Sequence, residues 1–228
     1  QYNTFKGIVL TDTFQLYEQE RDMIANLLPD NSLKRTNQKK RKITVIIGNP
    51  PYSSSQKKTN DNVKNINYPN LDEKIRNTYA VDTLVSNKQD LYDSYIRAFR
   101  WATDRLDDEG LIAFITGSSW LKKSVTAGLR KHFLKDFSKI YVINLRGDIR
   151  SKILSKLNSD EGENVFGQSS MTGITITFML RKKNNLNKEI YYHDIGKNLK
   201  KEEKLKKLYL YKTIFNPRIK FTKIVPDR

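Results

Sequence analysis

Ile43-Thr44-Val45-Ile46-Ile47-Gly48-Asn49-Pro50-Pro51-Tyr52 is the stretch that decides how this chain is read. Its first six residues are β-branched and almost wholly apolar, the composition of a short strand buried in an α/β sheet. Two prolines then end the strand abruptly, because neither carries an amide hydrogen for a ladder. Open α/β sheets take their ligands at the carboxyl ends of their strands, so the tetrapeptide at 49–52 stands where a site belongs.

The groups in that tetrapeptide suit methyl transfer to an exocyclic amine. The amino nitrogen of adenine is a poor nucleophile because its lone pair is delocalised into the ring, and no simple base deprotonates it usefully at neutral pH. The Asn49 side-chain oxygen and the Pro50 carbonyl, which the proline ring pins in an extended conformation, can accept its two hydrogens and favour a pyramidal, attack-ready nitrogen. Tyr52 offers a ring on which a base can stack. Gly48 lets the backbone approach a ligand closely. The same string also fits a turn or a short polyproline segment that merely stops a strand. By itself it does not choose between nucleic acid and protein as methyl acceptor.

Composition narrows that choice. Lys and Arg number 42 against 25 Asp and Glu, a net charge of +17, which favours a polyanionic partner, nucleic acid above all. The apolar runs are too short for a membrane span. The absence of cysteine excludes disulfides, thiolate zinc sites and cysteine nucleophiles. His132 and His193 are isolated and read as structural or surface residues. A chain of 228 residues supports one full core. Its start, Gln1-Tyr2-Asn3-Thr4-Phe5-Lys6, has neither an initiating Met nor an apolar leader, which predicts a piece of a longer polypeptide.

Along the chain, Gly7-Ile8-Val9-Leu10-Thr11-Asp12 reads as a strand ending in a carboxylate, followed by a helix through Leu16, Met23, Ile24 and Leu27. Residues 34–42 read as a basic connector, and 53–70 as a long polar loop. Leu91, Tyr95, Ala98, Phe99, Ala102 and Leu106 recur at helical spacing, and Asp107-Asp108-Glu109-Gly110 ends that helix. Leu111-Ile112-Ala113-Phe114-Ile115-Thr116 predicts a buried strand, and Ser118 or Ser119 a cap for a helix carrying Leu121, Val125, Leu129 and Phe133. A further strand covers 140–145. After an irregular stretch over 146–168, Ile174, Ile176, Phe178 and Leu180 alternate as in a strand near a sheet edge. Residues 190–195 add a strand and 197–211 a lysine-laden helix. The order of elements predicts an α/β fold with right-handed crossovers and a mostly parallel sheet.

Several separated motifs in this order resemble the γ-class N6-adenine DNA methyltransferases, in particular the methyltransferase region of Type ISP and related Type IIG restriction-modification enzymes. The likeness covers nearly the whole chain. It rests on Gly7-Ile-Val-Leu-Thr-Asp-Thr-Phe14, Val45-Ile-Ile-Gly-Asn-Pro-Pro-Tyr52, Asn67-Tyr-Pro-Asn-Leu-Asp72, Gly110-Leu-Ile-Ala-Phe-Ile-Thr116, Leu129-Arg-Lys-His132 and Asn164-Val-Phe-Gly167. The resemblance implies a Rossmann-like class I fold dependent on S-adenosylmethionine, a mostly parallel sheet with an antiparallel edge strand, and methyl transfer to a flipped adenine in double-stranded DNA without a metal. It implies a bacterial, cytoplasmic restriction-modification protein with no membrane association.

Residue by residue, the resemblance implies that Asn49, Pro50 and Tyr52 are catalytic. Asp12, with Asn49, would bind the cofactor, the carboxylate taking a hydrogen bond from the adenine amine of S-adenosylmethionine. Tyr52 and Phe166 would stack on the target base. Asp12 also fits a helix cap, and Phe166 ordinary core packing. The family's glycine-rich cofactor loop and ribose-binding acid have no counterpart here, since the chain contains no Gly-x-Gly. The expectation is therefore a fold incomplete at the N-terminus, with residues 1–182 as the C-terminal part of the catalytic core. Residues 183–228 form a basic connector toward a target-recognition region. Upstream and downstream parts of the same polypeptide are then partners, and the isolated fragment is expected to be inactive. The alternatives are an RNA-adenine or protein-glutamine methyltransferase, and a non-catalytic DNA-binding fragment.

Overall fold

The computed structural model describes residues 7–18, 28–51, 68–150, 160–167, 171–184 and 187–225. Six strands form one sheet: β1 (Ile43–Gly48), β2 (Leu106–Gly117), β3 (Lys139–Arg146), β4 (Ile174–Arg181), β5 (Glu189–Asp194) and β6 (Thr222–Ile224), in the spatial order β1-β2-β4-β3-β5-β6. β1 runs parallel to β2 and β3 parallel to β5, while β4 is antiparallel to both of its neighbours and β6 antiparallel to β5. Four strands thus share one direction, which makes the sheet mostly parallel, and the edge strand β6 opposes them. The segment read as a connector, 183–228, supplies β5 and β6 to this same sheet.

The alternating strand expected near an edge lies inside the sheet as β4, between β2 and β3. The expectation failed because Thr175 and Thr177, which read as solvent-facing, are fully buried. Thr175 faces Thr116 of β2, their hydroxyls 3.2 Å apart, so that pair is satisfied within the core, while the buried Thr177 hydroxyl has no partner among the described residues.

One face of the sheet packs against three helices, α2 (Pro69–Asn77), α3 (Ser94–Arg105) and α4 (Ala127–Asp136). α3 carries the predicted period at Tyr95, Ala98, Phe99 and Ala102, all buried, whereas Leu91 lies in the 3-10 turn before it and Leu106 opens β2. Phe99 is the hub of this layer: its ring centroid lies 5.4 Å from Phe114, 5.9 Å from Trp120 and 5.0 Å from Phe133. These tilted and edge-on pairs add to simple area burial. The other face carries a second cluster, in which Ile143, Ile174 and Ile195 pack with Tyr211 of α5 (Lys201–Tyr211).

Three local expectations are corrected. Residues 34–42 fall largely in a helix, α1 (Pro29–Lys40), which has no buried residue and so no apolar period to betray it. It is stabilised by its termini, with Asp30 in the first turn, Lys39 and Lys40 in the last, and the Arg105 guanidinium donating to the Gln38 and Lys39 carbonyls at 2.8 Å each. Asp107-Asp108-Glu109-Gly110 does not form the end of α3, because β2 already begins at Leu106 and bulges through these residues, its register to β1 jumping from Leu106 to Leu111. Ser118 and Ser119 open a short 3-10 turn, Ser118–Leu121, rather than capping a helix, and α4 begins only at Ala127, after Thr126.

Residues 7–12 form no strand. Ile8 and Leu10 are 67% and 66% exposed, so among the described residues the run has no apolar partner to make a ladder worth its ordering cost. Leu10 instead pairs through its amide and carbonyl with the Asn31 side chain, both contacts at 2.8 Å. The continuation through Met23, Ile24 and Leu27 lies outside the described residues.

Candidate active site

β1 ends at Gly48, opposite Phe114 of β2, and releases Asn49, Pro50 and Pro51 at the carboxyl edge of the parallel strands. They open onto a cleft of about 520 Å³ lined also by Asp12, Phe14, Ile46, Tyr68, Trp101 and Phe114. Asn49 is exposed, and its side chain has no hydrogen-bond partner among the described residues. The open side of Gly48 faces the Phe114 ring, where a Cβ would stand 3.1 Å from a ring carbon. The glycine therefore makes room for the wall of the cleft as well as for a ligand.

Asp12 is fixed from two directions. The Phe14 amide donates to its Oδ1 at 2.9 Å, and the Tyr68 hydroxyl donates to its Oδ2 at 2.7 Å. Burial, and then the hydrogen bond to Asp12, raise the Tyr68 phenol well above its ordinary pKa, so it stays a donor. Phe14 meets the Tyr68 ring edge-on at 5.2 Å, and the Arg97 guanidinium lies 5.4 Å from that ring's centroid. Arg97 is held by Asp72 through a two-pronged pair at 2.7 and 2.8 Å. Glu18, buried, accepts the Asn70 and Leu71 amides at 2.9 and 3.0 Å and so caps α2, which begins with Pro69.

None of Tyr68, Arg97, Asp72 or Glu18 was assigned a role from sequence. Tyr68 and Asp72 lie in the quoted Asn67-Tyr-Pro-Asn-Leu-Asp72 stretch, which gave the only signal. Their pairing with Asp12 and Arg97 is tertiary and leaves no trace in local spacing.

Of the expected site residues, the cleft brings together Asp12, Asn49 and Pro50. Tyr52 lies outside the described residues, as does nearly all of the loop read at 53–70. Phe166 does not line the cleft. It sits in a turn where its amide donates to the Asn164 side chain at 2.9 Å, and at 40% exposed it is not packed in the core. Buried Asn164 anchors that turn by donating to the Gly147 and Thr172 carbonyls at 3.0 and 2.8 Å. Lys204 of α5, fully buried, donates to the Glu161 and Glu163 carbonyls at 3.1 and 2.6 Å just before it. Because Gly117 and Arg146 both pair with Ile174, this turn emerges at the same sheet edge as Asn49.

The donor set fits an adenosine-bearing cofactor: an oriented carboxylate that accepts an amine hydrogen, beside apolar walls that can cover a purine. His193 is taken up structurally, its ring nitrogens 3.0 Å from the Lys220 carbonyl and 3.2 Å from the Tyr211 hydroxyl. His132 lies 3.2 Å from Asp82. Among the described residues no helix is long and apolar enough to cross a membrane.

Beside the cleft, Asp93 precedes α3 without capping it by its side chain. Burial first, and Asp90 second, push its carboxyl up to about 6, against the lowering influence of Lys123 and Arg97. The acid form is thus favoured on folding, and its stabilising contribution, complete below the unfolded pKa near 4, is lost as pH rises through about 6. Asp93→Asn is therefore expected to raise the melting temperature at pH 7.5, with the gain shrinking as pH falls from 6 toward 4. Thermal melts across that range check it, and an equal shift at every pH would contradict it.

Comparison with known proteins gives the same lineage from two directions. The model of the family described as Eco57I restriction-modification methylase matches residues 4–150. A structure of a nuclease-deletion mutant of the Type ISP restriction-modification enzyme LlaGI, in complex with a DNA substrate mimic, matches with 38% identity and a TM-score of 0.90, over 100% of this chain and 18% of that one. The ATP-dependent Type ISP enzyme LlaBIII bound to DNA matches at 40% identity and 0.91, over 99% and 15% of the two chains. The DrdV–DNA complex matches at 33% and 0.83, over 100% and 21%. The chain thus spans about a fifth or less of these relatives' lengths. A comparison with curated protein sequences gave no match. The family match extends over the Asp12 segment, the strand leading to Asn49 and helices α2, α3 and α4, and the chain belongs to the Eco57I restriction-modification methylase family.

Proposed function

We propose that this chain carries the methyl-transfer site of a site-specific DNA adenine-N6 methyltransferase that uses S-adenosylmethionine. The observation that carries the reading is the meeting of Asp12 with Asn49 and Pro50 in one cleft at the carboxyl edge of the sheet. The cofactor supplies an electrophilic methyl group. Asp12 accepts a hydrogen bond from its adenine amine, while the Phe14, Trp101 and Phe114 walls exclude water. The Asn49 oxygen and the Pro50 carbonyl would accept the two hydrogens of the target amine, localising the nitrogen lone pair for attack on the methyl carbon. The N–C bond forms as the sulfonium S–C bond breaks to leave a neutral thioether, and the surplus amine proton passes to water. Catalysis then rests on positioning and acceptor geometry. The +17 charge and the DNA-bound state of the LlaGI, LlaBIII and DrdV structures support duplex DNA as substrate, with this chain working as part of a longer polypeptide.

Transfer of labelled methyl groups from S-adenosylmethionine to duplex DNA, RNA and protein tests the substrate class. Label in duplex DNA alone is expected, and label in RNA or protein would overturn the reading. Tyr52 and Phe166 belong to the proposal as stacking partners of the flipped base. The exposed position of Phe166 at the catalytic edge of the sheet supports its part. Phe166→Ala is expected to weaken base capture by roughly 1 to 3 kcal/mol. Fluorescence of 2-aminopurine at the target position reads this directly, and flipping that is unchanged in the variant would remove Phe166 from the site.

A further inference from the structure

We propose that Tyr68 is a positioning residue of the cofactor subsite, whose hydroxyl sets the direction in which Asp12 presents its carboxylate to the adenine amine. The inference rests on the reading of Asp12 given above. Asp12 lies on a segment without regular secondary structure, so no ladder or helix fixes its side chain. The orientation comes from two donors, the nearby Phe14 amide and the Tyr68 hydroxyl, 56 residues away in sequence. An ionised carboxylate has about four acceptor directions, so each oxygen keeps one for a ligand after these bonds form.

Tyr68 is itself held in place. Its ring is gripped between Phe14 and Arg97, and Arg97 is locked to Asp72 one turn further along α2. The same N-terminal segment that carries Asp12 also caps α2 through Glu18. Two carboxylates of one irregular segment are thereby tied to one helix end, and the start of α2 becomes the reference against which Asp12 is aimed. Removing only the phenolic oxygen leaves the ring, the Phe14 contact and the Arg97 contact intact. The carboxylate loses its long-range donor.

Calorimetric titration of the full-length protein with S-adenosylmethionine, on wild type, Tyr68→Phe, Asp12→Ala and the double variant, tests this. Tyr68→Phe is expected to weaken binding on the order of tenfold, as for loss of one hydrogen bond to a charged group, with the melting temperature nearly unchanged. The double variant is expected to bind no more weakly than Asp12→Ala, because the hydroxyl acts only through that carboxylate. Wild-type affinity in Tyr68→Phe beside weakened binding in Asp12→Ala would overturn the role of Tyr68 and leave that of Asp12 standing. Additive losses would also overturn it, making Tyr68 an independent contact. Unchanged affinity in Asp12→Ala would overturn the Asp12 reading and this one with it.

Discussion

Asn49→Ala is expected to lower methyl-transfer turnover by roughly 100- to 1,000-fold, a loss of about 3 kcal/mol comparable to removing one preorganised oxyanion-hole donor. β1 delivers Asn49 at the carboxyl edge of the sheet, and Pro50 and Pro51 restrict the backbone that follows. The amide oxygen has no hydrogen-bond partner among the described residues, which suits an acceptor for the target amine. That capacity matters most when the target nitrogen pyramidalises, so turnover falls far more than cofactor affinity. The exposed side chain contributes little to stability, and the melting temperature is expected to stay close to wild type. Steady-state kinetics with saturating cofactor check this, and near-normal turnover in the variant would contradict the assignment.

Phe99→Ala is expected to cost about 3 to 5 kcal/mol of stability, the usual range for emptying a fully buried phenylalanine site. Phe99 is 0% exposed and touches Phe114, Trp120 and Phe133 at once, rings supplied by β2, the turn after it and α4. No single neighbour can relax into the void without leaving its own partners. Phe114 is also a wall of the cleft, so cofactor affinity is expected to fall together with stability. Phe99→Leu, which keeps most of the volume, is expected to be much milder. Chemical denaturation followed by tryptophan emission measures both variants, and a loss below about 1 kcal/mol for Phe99→Ala would show that the aromatic layer is not the main core.

The parts of this fold that were legible in sequence are those whose burial imposes a period. Tyr95, Ala98, Phe99 and Ala102 of α3 were visible as helical spacing, and 43–48 and 111–116 as apolar runs. Among the described residues, however, β1 is an edge strand whose Val45 and Ile47 are 53% and 77% exposed, so the full burial expected of it does not hold. α1 was missed because it buries nothing and is held by its charged termini and Arg105. The interior place of β4 was missed because Thr175 and Thr177 are polar yet fully buried, which mimics an edge strand's solvent face. Residues 7–12 misled in the opposite sense, an apolar run that pairs with a side chain and not with a strand.

For the site, Asn49 and Pro50 could be read from local chemistry, and Asp12 from resemblance, because each belongs to a contiguous motif. The frame that orients them could not. Tyr68, Arg97, Asp72 and Glu18 act through contacts between residues 25 to 56 positions apart, and nothing in one sequence pairs a carboxylate with a distant phenol.

The central claim is that the cleft at Asn49 methylates the exocyclic amine of adenine in DNA, and the identity of the methylated nucleoside tests it most directly. Duplex DNA incubated with the full-length protein and isotopically labelled S-adenosylmethionine is digested to nucleosides and analysed by mass spectrometry, for wild type and for Asn49→Ala. The predicted result is labelled N6-methyladenosine deoxynucleoside from wild type and almost none from the variant, whereas label on cytosine, or equal labelled adenine from both proteins, would contradict it.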